Sequence, residues 1–187
     1  MTNRTLTTTL RVYDDTDPTT PTLETNDGGR IASELATVGI RFERWAADAA
    51  LPPGADHGAV IEAYMSSIER LKRECGYRSV DVIRIEKNTP DTAPLRAKFL
   101  NEHRHSEDEV RFFVAGRGAF YLHIGNRVYQ TICVAGDLIS VPAGTTHWFD
   151  MGANPEFTAI RLFLNPDGWV ANFTGSAIAQ NFPLLED

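Results

Sequence analysis

The chain has 187 residues, 42% of them apolar and 23% charged, with a net charge of −7. That mixture suits one globular domain with a full core and excludes a disordered, fibrous or membrane-embedded chain. The 18 basic residues are scattered among 25 acidic ones, which argues against a nucleic-acid surface and for a small-molecule partner.

The opening "MTNRTLTTTLRVYDD" carries no apolar signal core, and no stretch approaches the roughly 18 apolar residues of a membrane span, so a cytoplasmic protein is expected. Thr7 to Tyr13 places Leu10 and Val12 at period two, an opening strand that "TDPTTPT" ends. "NDGGRIASELATVG" spaces Ile31, Leu35 and Val38 as a helix closed by Gly39, and "IRFERW" reads as a strand. "GAVIEAYMSSIERLKRECG" predicts one long helix with Ile61, Tyr64, Met65, Ile68 and Leu71 in its stripe and Gly76 at its end. Cys75 and Cys133, far apart and without a CxxC, are expected reduced and packed.

From Ser79 onward the pattern turns to β structure: "SVDVIRIEK" is a strand, a short helix follows around Leu95 to Leu100, and "AFYLHIGNRVYQTICV" is a hairpin turning at Gly125 and Asn126. Short strands recur at Leu138 to Val141, His147 to Phe149 and Phe157 to Leu164, the rhythm of a sandwich or small barrel. The whole, 1–187, reads as a single domain that is mainly β with flanking helices. A strand and helix segment over about 1–78 packs on the barrel, and a tail over about 169–187 lies across its outside.

Chemistry concentrates in "NEHRHSEDEVRFF". His103 and His105, two apart on a strand, send their rings to one face, and a bend at "SED" returns Glu109 to the same point. Two imidazoles and a carboxylate suit a divalent metal, although a solvated acidic loop reads the same way in isolation. "GDLISVPAGTTHWF" weighs sharply against the loop: Gly136, Pro142, Gly144 and His147 form G-x5-P-x-G-x2-H, while the first segment continues as H-x-H-x3-E-x6-G to Gly116.

These two motifs resemble those of the cupins, with Ala97 where a glycine is often found before the first histidine. The resemblance implies a jelly-roll β-barrel holding a metal through His103, His105, Glu109 and His147. Three imidazoles and one carboxylate leave two positions of an octahedral ion open. "KFLNEHRHSEDEVRFFVAGRGAFYL", "GDLISVPAGTTHWFD" and "FTAIRLFLNPDGWVANF" together are similar to the acireductone dioxygenase family of methionine salvage, over nearly the whole chain.

That likeness implies an acireductone dianion that binds the metal through two oxygens and is cleaved with O2. An Fe(II) form would give the 2-keto acid precursor of methionine and formate. A Ni(II) or Co(II) form would give the shorter carboxylic acid, formate and carbon monoxide. The donor types suit Fe(II), Ni(II), Co(II) and Mn(II) alike. A monomer is expected from the same resemblance.

Arg111, two residues past Glu109, faces the same interior, where a buried guanidinium calls for an anion; the resemblance gives it the role of positioning substrate. Arg161 matches a second family arginine, with an ordinary ion-paired arginine as the competing reading. Phe149 and Phe113 by parity, and Trp169 by resemblance, are expected to wall the site, although core packing explains each equally well. Glu102 and Asp108 resemble acids that orient the ligands, but alternation puts Glu102 on the face opposite His103. His57 and His123 are read as non-ligands. The competing functional readings are another metal cupin dioxygenase or isomerase, and a non-catalytic cupin that binds a small ligand.

Overall fold

A computed structural model describes residues 6–52, 54–165 and 170–186. Among these residues eleven strands are built around one of them. β6 (Glu109–Ile124) runs 16 residues, and its two halves belong to different sheets. Its first half pairs with β8 (Asp137–Val141) and β10 (Phe157–Phe163), and these extend to β3 (Arg41–Arg44) and β4 (Ser79–Ile85). Its second half pairs with β7 (Arg127–Val134) and β9 (Thr146–Asp150). Beyond β7 lie β1 (Thr9–Asp14) and β2 (Leu23–Thr25); beyond β9 lie β5 (His103–Arg104) and β11 (Asn172–Phe173). All pairings among the described residues are antiparallel, and the architecture is mainly β and cupin-like as expected, although the sheet does not close into a barrel.

The change of sheet requires glycine at position 116. There φ is +73°, and a Cβ would run into the Glu156 carbonyl and lie 2.6 Å from the Phe157 Cα. The last glycine of H-x-H-x3-E-x6-G is therefore where the strand bends and the neighbouring chain approaches it closely.

Alternation along β6 and β9 sorts side chains between the interior and the outer faces. Inside, Phe113, Phe120 and Phe149 pack with Leu10, Phe42 and Phe157. Outside, Val110 and Phe112 are covered by Val60, Tyr64, Ile68 and Leu71 from the helical segment. Tyr121 and Trp148, stacked at 5.2 Å, are covered by Ala179, Phe182 and Leu185 from the tail. Each large side chain fully buried this way contributes about 1.5–3 kcal/mol.

α1 (Gly28–Ala36) begins where Asp27 accepts the Arg30 N–H, and buries Ile31 and Leu35 as its spacing predicts. The long helix is instead two helices, α2 (His57–Ala63) and α3 (Met65–Cys75), parted at Tyr64, whose φ of −113° and ψ of 15° leave the helical region. The stripe shifts accordingly: Val60 enters the core and Met65 is 41% exposed. Gly76 ends α3 at φ +78° as expected. α4 (Thr92–Phe99) is the short helix ahead of the histidines. In the tail, the exposed strand β11 turns back to pair with β5. Among the described residues no helix is long and apolar enough to cross a membrane.

Candidate metal centre and substrate cavity

His103 and His147 are cross-strand partners on β5 and β9, and Leu122 of β6 lies opposite His147 on the other side. His105 follows on the chain leaving β5. One ring nitrogen from each of the three lies within 4.8 Å of the other two, and all three side chains are buried. Each Nδ1–H donates to a backbone carbonyl: His103 to Asn101 at 2.7 Å, His105 to Val170 at 2.9 Å and His147 to Thr145 at 2.8 Å. A carbonyl only accepts, so Nδ1 carries the proton and Nε2 is left with its lone pair.

Glu109 Oε2 lies 2.9 Å from His147 Nε2 and 3.3 Å from His105 Nε2. Lone pairs of a carboxylate and two imidazoles repel unless a positive charge lies among them, so this donor set fits a shared cation. Burial pushes the His103 pKa down to about 4, helped by His147, which keeps that ring neutral and able to ligate. Burial would likewise lower His105, but the hydrogen bond and charge of Glu109 raise it. Burial alone would raise Glu109; the Arg111 guanidinium, then the two histidines, hold it well below the usual carboxylate range.

The two motif halves are fastened together behind the rings. The Gly144 N–H, at φ +78°, donates to the His105 carbonyl at 2.9 Å, and Asp108 Oδ1 accepts the Ala143 N–H at 2.9 Å. The P-x-G turn thus holds the bend that carries His105 and Glu109, and Tyr77 Oη donates to the other Asp108 oxygen at 3.4 Å.

Arg111 Nη2 pairs with Glu109 Oε1 at 2.7 Å, while its buried Nε and Nη1 have no hydrogen-bond partner among the described residues. The guanidinium lies over the Phe149 ring at 4.4 Å and the Phe120 ring at 5.2 Å. Beside it opens a cavity of about 300 Å³, where Leu95, Phe99, Phe149 and Phe163 face His103, His105, Glu109 and both arginines. Two unpaired donors at the end of an apolar cavity call for an anionic ligand with an apolar tail.

The family model of the ARD/ARD' family matches residues 9–171, most of the chain. The chain belongs to the ARD/ARD' family. Acireductone dioxygenases of this kind from Pseudomonas paraeruginosa (60% identical, covering 95% of this chain and 98% of the relative) and Stenotrophomonas maltophilia (58%, covering 93% and 94%) are close relatives. Among solved structures, the acireductone dioxygenase from Bacillus anthracis with a cadmium ion in its active center is similar, with a TM-score of 0.79 and 25% identity over 89% of this chain and 98% of that one. A family structure with an ion in its active center and the three-histidine cluster of this chain agree on a metal site.

Within this ARD-family site, several side chains lie elsewhere than the sequence suggests. Phe113 does face inward, but it packs in the core 6.1 Å from Phe157 and does not line the cavity. Glu102 and Asp108 neither line the cavity nor bond the three histidines. Glu102 is buried on the opposite face, accepting from His123 Nδ1 at 2.7 Å and from the Thr174 hydroxyl at 2.5 Å. Asp108 fastens the turn instead of the rings. Arg161 is both ion-paired and part of the cavity: Asp81 holds it at 2.9 and 2.7 Å. Trp169 lies outside the described residues. Sequence reasoning missed Leu95, Lys98 and Phe99 of α4, Phe163, and the tail residues Val170, Ala171 and Phe173. Parity with Arg161 was enough to find Phe163.

Proposed function

We propose that the protein is an acireductone dioxygenase, acting on 1,2-dihydroxy-3-keto-5-methylthiopentene and O2 as a cytoplasmic monomer. The observation that carries the reading is Arg111: a buried guanidinium whose Nε and Nη1 have no hydrogen-bond partner among the described residues, beside three imidazoles and a carboxylate. His103, His105 and His147 would hold a divalent ion through Nε2, and Glu109 through Oε2, with Fe(II) or Ni(II) the leading candidates and Co(II) or Mn(II) of similar donor preference. When bound, the ion supplies Lewis acidity and a template for reaction of the enediolate with oxygen.

The chain's own residues supply the rest. Arg111 places positive charge where the substrate carries its negative charge, in a desolvated site where it acts strongly. Glu109, held ionised, takes one N–H of Arg111 and leaves Nε and Nη1 for substrate oxygens. Arg161, fixed by Asp81, adds a second cation at the rim. Phe149, Phe99, Leu95 and Phe163 exclude water and receive the methylthio chain. An Fe(II) form is expected to yield 4-methylthio-2-oxobutanoate and formate, and a Ni(II) or Co(II) form 3-methylthiopropanoate, formate and carbon monoxide. Oxygen uptake by metal-reloaded protein supplied with an acireductone tests the reading; no uptake above the metal-free control would refute it.

A further inference from the structure

α4 is a part of the cavity wall that its own packing holds only lightly. None of its residues is buried, and its N-cap Asp91 sits at φ +56° with no side-chain cap. Leu95 and Phe99, one helical turn apart, nevertheless line the cavity, and the Phe99 ring stands edge-on to Phe149 at 6.2 Å.

Its fastening lies on the far side of β9. Arg96 makes a two-pronged pair with Asp150, Nε to Oδ1 at 2.7 Å and Nη2 to Oδ2 at 3.0 Å. Asp150 has no exposed surface, and it also accepts the Gly152 N–H at 2.9 Å and the Leu185 N–H at 2.8 Å. It follows Phe149 on β9 and points away from the cavity, and Arg96 does not line the cavity either. One buried carboxylate therefore ties together α4, the C-terminal tail and the strand that carries His147 and Phe149. A forked arginine pair of this kind fixes geometry more than it adds stability.

We propose that Arg96 and Asp150 are a positioning pair that holds α4 as the wall against the substrate's side-chain end, so that they govern substrate affinity and side-chain selectivity and leave the chemical step alone. The nature of the substrate rests on the acireductone reading; the fastening of the wall rests on the geometry.

The test compares metal-loaded wild type with Arg96→Gln and Arg96→Lys, the second of which keeps the charge and loses the fork. Backbone hydrogen exchange is followed over 92–99 and over β6 and β9, and kcat and KM are measured for the acireductone and for an analogue lacking the methylthio group. Arg96→Gln should speed exchange in α4 alone and raise KM roughly tenfold, the low end of what one apolar contact supplies. kcat should stay within about twofold, and the preference for the methylthio substrate over the analogue should narrow. Arg96→Lys should fall in between, and metal content should match wild type in both. Unchanged exchange in α4, or faster exchange with an unchanged KM, would overturn the proposal, as would a fall in kcat accompanied by metal loss. Wild type inactive on both compounds would refute the acireductone reading alone, and α4 exchange would still decide whether the pair holds the wall.

Discussion

Replacing Arg111 with Met removes a guanidinium that is 4% exposed and whose Nε and Nη1 have no hydrogen-bond partner among the described residues. A substrate oxygen bearing one charge at about 4 Å from that cation gains about 4 kcal/mol at an effective dielectric near 20. Breaking a buried charge pair costs about 3–5 kcal/mol, the same scale. The expected loss in kcat/KM is therefore about a thousandfold. Glu109 loses one ion pair but keeps His105 and His147 beside it, and the three histidines stay in place, so metal content, measured by elemental analysis after anaerobic loading, should equal wild type. Arg111→Lys, which keeps charge without the planar fork, should recover part of the activity. The assay is oxygen uptake over a range of acireductone concentrations. A variant within about threefold of wild type would show that substrate does not rest on Arg111. Metal loss in step with activity would mean that Arg111 acts only by supporting Glu109.

Three further outcomes follow from the same geometry. His147→Ala removes one of three convergent nitrogens and should lower metal occupancy while leaving the Pro142 to Gly144 turn folded, as elemental analysis and circular dichroism would report. Gly116→Ala forces a side chain onto the Glu156 carbonyl at φ +73°; strain and overpacking together should cost about 3 kcal/mol and lower Tm by roughly 6–12 °C in calorimetry. His103, with a folded pKa of about 4 against about 6.5 unfolded, contributes stability that is full above pH 6.5 and lost as pH falls toward 4, about 3 kcal/mol in the metal-free protein. The raised pKa of His105 works in the opposite direction, so the measurement is the pH dependence of urea unfolding in wild type minus that in His103→Gln.

Much of the site was legible because it depends on short spacings. Period two brought His103 and His105 to one face, and H-x3-E with G-x5-P-x-G-x2-H fixed which residues meet, since the bend and the P-x-G turn are local. Parity also predicted correctly that Arg111, Phe113 and Phe149 point inward. Parity gives a face and no position along it, however, which is why Phe113 packs in the core instead of lining the cavity. Contacts between distant segments left no local signal: Glu102 with His123, Arg96 with Asp150, and the return of β11 to β5 depend on how strands are laid side by side. The break at Tyr64 was hidden for another reason. The apolar stripe continues through it, and only the packing of Val60 in place of Met65 reveals that the helix is split.

The most direct test of the central claim is one vessel in which protein stripped of metal and reloaded anaerobically with Fe(II) or with Ni(II) meets an acireductone and oxygen, with formate and headspace carbon monoxide measured together. Oxygen uptake and formate from both forms, with carbon monoxide from the Ni(II) form alone, is the expected result. Absence of uptake from both forms, with each holding its metal, would contradict it.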